Sequence, residues 1–431
     1  MGKPKAPVQT LENLEMKKTL VALAALASVS AFAQSSVELY GILDVGYNVV
    51  TSKSDLGGTA KQTGIGAGAD STNGAGNLNG GRIGFRGTED LGNGLKAGFL
   101  MEYGVNVTGP GANITAASDN SKTPAAADNA QGQSLARLRQ GGVNLSSAAL
   151  GKVTVGTIYA YHDATSGAIA GSSATGGTNN VVGASNLLKY GYTGGQPRLA
   201  NAVSYESPVF SGVQLKVARN QGKAVVDSGT NYSKSPADTG NANSFAIDYT
   251  NGPLKAGFAQ TNYKDVATGA AATIYAGNAG VTSLVDLLGS NSDQLGVSAS
   301  ATNTNIKNAV AGAQYDFGTF RAGLNRGTYN AMFADSTKDI KSTQTMGSVA
   351  VPMGKTTLIG GYTTGTIAQG GTDAYKTKAF DLIAVYDLSK RTNLYALAVQ
   401  TKYNSQAASP ALNVSDNAQQ RQYGVGVRHS F

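Results

Sequence analysis

Arg421-Gln422-Tyr423-Gly424-Val425-Gly426-Val427-Arg428-His429-Ser430-Phe431 closes the chain, and its reading decides the fold. Tyr423, Val425, Val427, His429 and Phe431 take every second position; Gln422, Gly424, Gly426, Arg428 and Ser430 fall between them. A period of two marks a strand with one apolar face and one small or polar face. A closing aromatic gains little in a soluble sheet, whereas a barrel strand can place it in the aromatic girdle at the membrane–water boundary.

The same alternation opens the chain after residue 33. Val37, Leu39, Leu43, Val45 and Tyr47 share one face, while Glu38, Tyr40 and Asp44 share the other. In a membrane barrel the first face meets lipid and the carboxylates face a watery lumen. Arg82 and Arg86 lie on one face of the next strand, and Asp90-Leu91-Gly92-Asn93-Gly94 carries the Asn-Gly pair of a tight hairpin. The return strand, Leu95 to Val105, sets Phe99, Met101 and Tyr103 against Lys96 and Glu102. Further strands read near 134–147, 151–160, 198–207, 212–221, 243–250, 254–264, 306–316, 319–330, 342–351, 355–366, 377–388, 392–404 and 420–431.

The connections alternate in length. Short ones are Asp90–Gly94, Ser146–Gly151, Ser207–Gly212, Asn251–Pro253, Phe317–Thr319, Pro352–Gly354 and Leu388–Arg391. Long ones, rich in Gly, Asn, Ser and Thr, run near 51–80, 108–133, 161–197, 222–242, 265–305, 331–341, 367–376 and 405–419. Outer-membrane barrels segregate turns in this way, short at one end and long at the other. About sixteen strands are expected, an even number that lets first and last pair and leave no free edge. A secreted or surface-exposed β-rich adhesin or passenger domain without a pore is the competing reading; it gives no reason for the alternation, and no fixed repeat supports a solenoid.

Composition agrees. Of 431 residues 14% are charged, against roughly 25% in soluble domains, and 57 are glycine. There is no Cys and no Trp, which excludes a disulfide scaffold or a thiolate metal site. Beyond residue 33 no apolar run reaches the roughly 18 residues of a spanning helix. Met16-Lys17-Lys18, the apolar run Leu20 to Ala27 and Ala31-Phe32-Ala33 before Gln34 read in order as a signal peptide over 16–33, cleaved between Ala33 and Gln34. Residues 1–15 read as an upstream extension, and 34–431 as one barrel domain. The formal charge of +8 falls slightly when the leader is removed, too modest to suggest a nucleic-acid partner.

Several stretches, in order, resemble the general diffusion porins of β-proteobacteria, including the neisserial porins. They are Val37 to Gly41, Gly81 to Gly92, Arg139 to Leu145, Asn201 to Pro208, Leu388 to Tyr395 and Gly426 to Phe431. The resemblance spans nearly the whole mature chain. It implies a homotrimer of sixteen-stranded barrels in the outer membrane, passing small hydrophilic solutes and ions and inserted by the barrel-assembly machinery. It also implies that the third long loop, about 161–197, folds inward to form the constriction, and that Phe431 is the assembly signal. Two departures bear on selectivity. Gly156-Thr157 stands where relatives often carry Gly-Arg, and Ser204 stands in a usual Arg slot, so a thinner basic ladder is expected.

The constriction candidates are Arg82, Arg86, Glu102, Asp163 and Arg198. The third long loop is poor in acids, with Asp163 beside His162, and this predicts weak anion preference, since a cation filter needs carboxylates and an anion filter Arg or Lys. Arg82 and Arg86 are read as close enough on one strand face for their fields to add; Glu38, Asp44 and Glu102 share that lumen face and oppose them. His162-Asp163 is not read as an acid–base pair, because strand neighbours point to opposite faces and no nucleophile stands beside them. Gly64-Ile65-Gly66-Ala67-Gly68 reads as loop. Asp248, Asp316, Asp381 and Asp387 read as strand-end carboxylates, hydrated or bound to turn amides. No enzyme activity, cofactor or metal is expected.

Overall fold

The computed structural model describes residues 36–54, 58–66, 78–105, 107, 135–162, 164–165, 198–220, 241–266, 304–332, 336, 339–405 and 417–431. The leader (1–15 and 16–33), Ala33-Gln34 and Asp163 lie outside them. The strands are β1 (Ser36–Ser54), β2 (Gly58–Gly66), β3 (Arg82–Gly92), β4 (Leu95–Val105), β5 (Leu135–Ser147), β6 (Gly151–Tyr159), β7 (Arg198–Glu206), β8 (Val213–Asn220) and β9 (Ala242–Asn251). They continue as β10 (Leu254–Val266), β11 (Thr304–Asp316), β12 (Arg321–Met332), β13 (Ile340–Met353), β14 (Thr356–Gln369), β15 (Thr372–Asp387), β16 (Thr392–Ser405) and β17 (Ala418–Ser430). All pair antiparallel in one sheet, and no described helix is long and apolar enough to cross a membrane.

The sheet closes on itself. β17 pairs with β1 from Ile42↔Ser430 to Ser54↔Ala418. The other edge of β1 is shared: β2 covers Gly46 to Ser54 and β3 covers Ser36 to Ile42. β2 and β3 therefore lie end to end in one wall position, and the barrel has sixteen positions. This corrects the reading of 51–80 as one long loop. Gly64 to Gly66 belongs to β2, and the next described wall strand begins at Arg82.

The connection read at 367–376 is also corrected. β14 and β15 run on to a two-residue turn at Gly370-Gly371, with φ of 55° and 84°. That backbone suits a primed hairpin turn, which needs residues free to take positive φ, so a glycine pair here makes a hairpin and not a loop.

The period of two sorts the side chains as expected. Val143, Leu324 and Val425 are 63%, 62% and 57% exposed on the outer face, where lipid covers them. Ser244, Thr261, Asn308, Asn325 and Ser348 are buried on the inner face. At the short-turn end Phe317 stacks on Phe320 with centroids 4.5 Å apart and meets Tyr315 at a tilt at 4.7 Å, part of an aromatic girdle. Phe431 closes the seam there: Gly41 N–H donates to Phe431 O at 3.0 Å and Phe431 N–H to Gly41 O at 3.1 Å.

Two described segments leave the wall for the lumen. Leu78, fully buried, packs into an apolar cluster with Ala350, Ile359, Ile383, Tyr395 and Leu397 on the inner faces of β13–β16. The start of the third long loop crosses β9–β11. Tyr161 N–H donates to Ser244 Oγ (2.9 Å), His162 Nδ1 lies 2.8 Å from Thr261 Oγ1, and Thr165 Oγ1 donates to Asp248 Oδ1 (3.1 Å).

Candidate pore constriction

Six side chains from consecutive wall strands meet on the inner face of β1 and β3–β7. Tyr40, Gly84 and Glu102 stand in register across β1, β3 and β4. With no side chain on Gly84, the Tyr40 ring lies flat across β3, so close that a Cβ there would overlap it. The ring thereby carries its hydroxyl to Glu102 Oε2 at 3.1 Å. Arg139 Nε donates to the other oxygen, Oε1, at 2.8 Å, and both side chains of this ion pair are over 90% buried. Arg139 Nη2 donates to Tyr159 Oη at 2.7 Å. The Arg198 guanidinium lies 5.0 Å over the Tyr159 ring and reaches its hydroxyl at 3.4 Å. Arg82 Nε, also buried, has no hydrogen-bond partner among the described residues. Among the described residues the cluster carries three guanidiniums and one carboxylate.

Arg86 does not belong to this charge excess. It makes a two-pronged ion pair with Glu38, both bonds 2.8 Å, with each side chain 56% exposed. Arg82 and Arg86 are four residues apart, about 13 Å along a strand and beyond the roughly 8–10 Å screening length, so their fields do not add as the sequence reading held. Ser204, in the usual Arg slot, is buried and brings no charge. Lys152 pairs with Glu206 (2.9 Å) and Lys216 with Asp248 (2.8 Å).

Arg139 and Tyr159 were missed as site residues for a definable reason. Val143 and Leu145 face outward, and counting back by two from them puts Arg139 on the lipid side. A bulge breaks the count: Glu102 pairs with Gln140 and Tyr103 with Leu138, leaving Arg139 as the extra residue that turns inward. On β6 a second register shift, between Gly156 and Ile158, turns Tyr159 inward in the same way.

A second network anchors the segment before β3. Tyr395 Oη donates to Asp44 Oδ1 (2.6 Å) and Asn79 N–H to Asp44 Oδ2 (2.7 Å). Arg428 Nη1 donates to Asn79 Oδ1 (2.8 Å). Asp44 is therefore a tether for Leu78-Asn79. On the opposite arc, His162 Nε2 lies 3.3 Å from Asn308 Nδ2, and its ring meets Tyr263 edge-on at 6.4 Å, a structural setting. Of the remaining carboxylates, Asp316 binds the Gly318 turn amide (2.8 Å) as expected, but Asp381 sits well inside β15, away from either end.

A closed sheet with a lipid face, a polar inner wall and segments folded into the lumen defines a membrane channel. The Gram-negative porin model matches residues 19–407, and the chain belongs to that family of outer-membrane channels. An outer membrane porin protein of Bordetella pertussis is 29% identical over 96% of this chain and all of its own length. Among solved structures, an anion-selective porin from Comamonas acidovorans has a TM-score of 0.60 at 22% identity, over 92% of this chain and all of that one. A trimer form of the outer membrane protein OmpT of Vibrio cholerae has a TM-score of 0.57 at 12% identity, over 92% of this chain and 99% of that one. The protein is an outer-membrane porin, and the reading as a pore-less adhesin is set aside.

Proposed function

We propose that the pore passes small hydrophilic solutes with a weak preference for anions, and that it works as a homotrimer. The observation that carries the preference is the gathering of Arg82, Arg139 and Arg198 with Glu102, their one carboxylate among the described hydrogen bonds and ion pairs, on one stretch of inner wall. A single net charge 7 Å from a passing ion in bulk water is worth about 0.6 kcal/mol, close to thermal energy, so the bias is a few-fold and not absolute. Passive diffusion needs no catalytic group, and His162 is held by structural bonds. Three copies would cover part of the apolar outer face. Residues 16–33 direct secretion and are removed after Ala33, and Phe431 serves the assembly machinery.

The test is the reversal potential of single pores in a planar bilayer under a salt gradient. The sign expected is that of anion preference, fading as ionic strength rises and the screening length shrinks. Arg82→Ser together with Arg198→Ser moves the potential toward cations. A wild-type pore that prefers cations at low salt overturns the assignment.

A further inference from the structure

Asp381 is fully buried on the inner face of β15, and neither carboxylate oxygen has a hydrogen-bond partner among the described residues. Three more side-chain oxygens nearby are in the same condition: Ser348 Oγ, Thr363 Oγ1 and Thr377 Oγ1, all buried and all without a partner among those residues. The register gathers three of the four. Ser348 and Asp381 flank Gly361 on either side, and Thr363, two residues on along β14, is diagonal to both. Thr377 stands four residues from Asp381, about 13 Å along β15, and lies outside the group.

Gly361 makes the gathering closer. The Asp381 carboxylate lies over it, Oδ1 and Oδ2 standing 2.5 and 2.7 Å from where a Cβ would be. Asp381 therefore leans across β14 toward Ser348. The surrounding inner wall is apolar, with Met346, Ile359, Ile383 and Val399 all buried. A desolvated carboxylate in such a setting is costly unless a charge or a set of donors meets it.

We propose that Asp381, Ser348 and Thr363 form a binding site for a dehydrated monovalent alkali cation. The donors are all hard oxygens, which suit alkali and alkaline-earth ions and not soft metals. One carboxylate balances one positive charge. Calcium takes six to eight oxygens, commonly from several carboxylates, and the described residues hold no group of three His, Cys, Asp or Glu that could serve it. The complete burial of Asp381 and Thr363 leaves no path for an ammonium carried on a larger solute. A bound ion ties β13, β14 and β15 together behind the Leu78 contact. The site lies off the basic cluster and does not depend on the anion preference.

The test compares the full-length folded protein in detergent with its Asp381→Asn variant, which keeps the shape and loses the charge. Thermal unfolding is followed in sodium chloride and in N-methylglucamine chloride at equal ionic strength. Sodium is expected to raise the wild-type midpoint and leave the variant unmoved. Crystals of wild type soaked in thallous acetate are expected to show an anomalous peak among Asp381, Ser348 and Thr363. Equal responses of both proteins to sodium, or no thallium peak at Asp381, overturns the proposal, as holds if the carboxyl is simply protonated. Should Asp381→Asn fail to fold, Thr363→Val removes one ligand oxygen while keeping the charge, and the wild-type thallium peak still decides.

Discussion

Glu102 shows how much one side chain can carry in a pore wall. It holds Arg139 and Tyr40 together, and the Glu102–Arg139 pair is almost wholly out of water. Removing one partner of a buried ion pair leaves the other charge uncompensated, at a cost of about 3–5 kcal/mol. Glu102→Gln is therefore expected to lower the unfolding midpoint clearly, and, by deleting the cluster's carboxylate, to strengthen anion preference in the same bilayer assay. Glu38→Gln is the contrasting case. Its pair with Arg86 is half exposed, so stability is expected to hardly move while selectivity shifts slightly toward anions. Equal destabilisation by both variants would show that burial does not set the difference. The sequence made Arg82 and Glu102 legible as lumen-side residues because alternation assigns faces, whereas Arg198 was legible only by its place at the end of the third long loop. It hid Arg139 and Tyr159, because a bulge adds one residue and inverts every assignment beyond it.

Strands were legible for the same reason that their ends were not. Lipid outside and water inside impose a strict period of two, and the expected strands fall within a few residues of those observed from β4 to β17. Glycine carries no face, so Gly-rich runs such as Gly64-Ile65-Gly66 and Gly370-Gly371 read as loop while forming a strand and a tight turn. The seam between β1 and β17 depends on another glycine. The Phe431 ring lies on Gly41, whose missing side chain leaves the space; a Cβ at 41 would stand within 2.7 Å of ring atom Cε2. Gly41→Leu is expected to push the ring away and, because the added Cβ would also stand 2.6 Å from the Arg82 carbonyl oxygen, to strain the β1–β3 pairing, slowing assembly. Deleting Phe431 removes both the ring and the backbone pair at Gly41, and is expected to block insertion while secretion continues. Pulse-chase fractionation of cells reads both; normal surface levels of the truncated chain would refute the role given to this seam.

The inner wall of the whole barrel divides into three arcs. The basic cluster occupies β1 and β3–β7, the start of the third long loop lies on β9–β11, and Leu78-Asn79 lies against β13–β16 with Asp44 and Arg428 holding it. Two arcs are thus covered by chain that left the wall, and both segments narrow the lumen opposite the guanidiniums. An ion passing such a pore is kept near the charged arc, within the screening length where a field of one or two net charges still acts. If the Leu78 segment is released, the path widens on the side away from Arg82, Arg139 and Arg198. The double substitution Leu78→Ser and Asn79→Ala removes the apolar anchor and the bond to Arg428, leaving the wall strands untouched. It is expected to raise single-channel conductance and to weaken anion preference together, since the added cross-section lies away from the basic cluster. Conductance that rises with selectivity unchanged would mean that ions already pass beyond reach of the basic arc. Conductance that does not move would mean that the segment lies clear of the narrowest section, leaving the constriction to the third long loop alone.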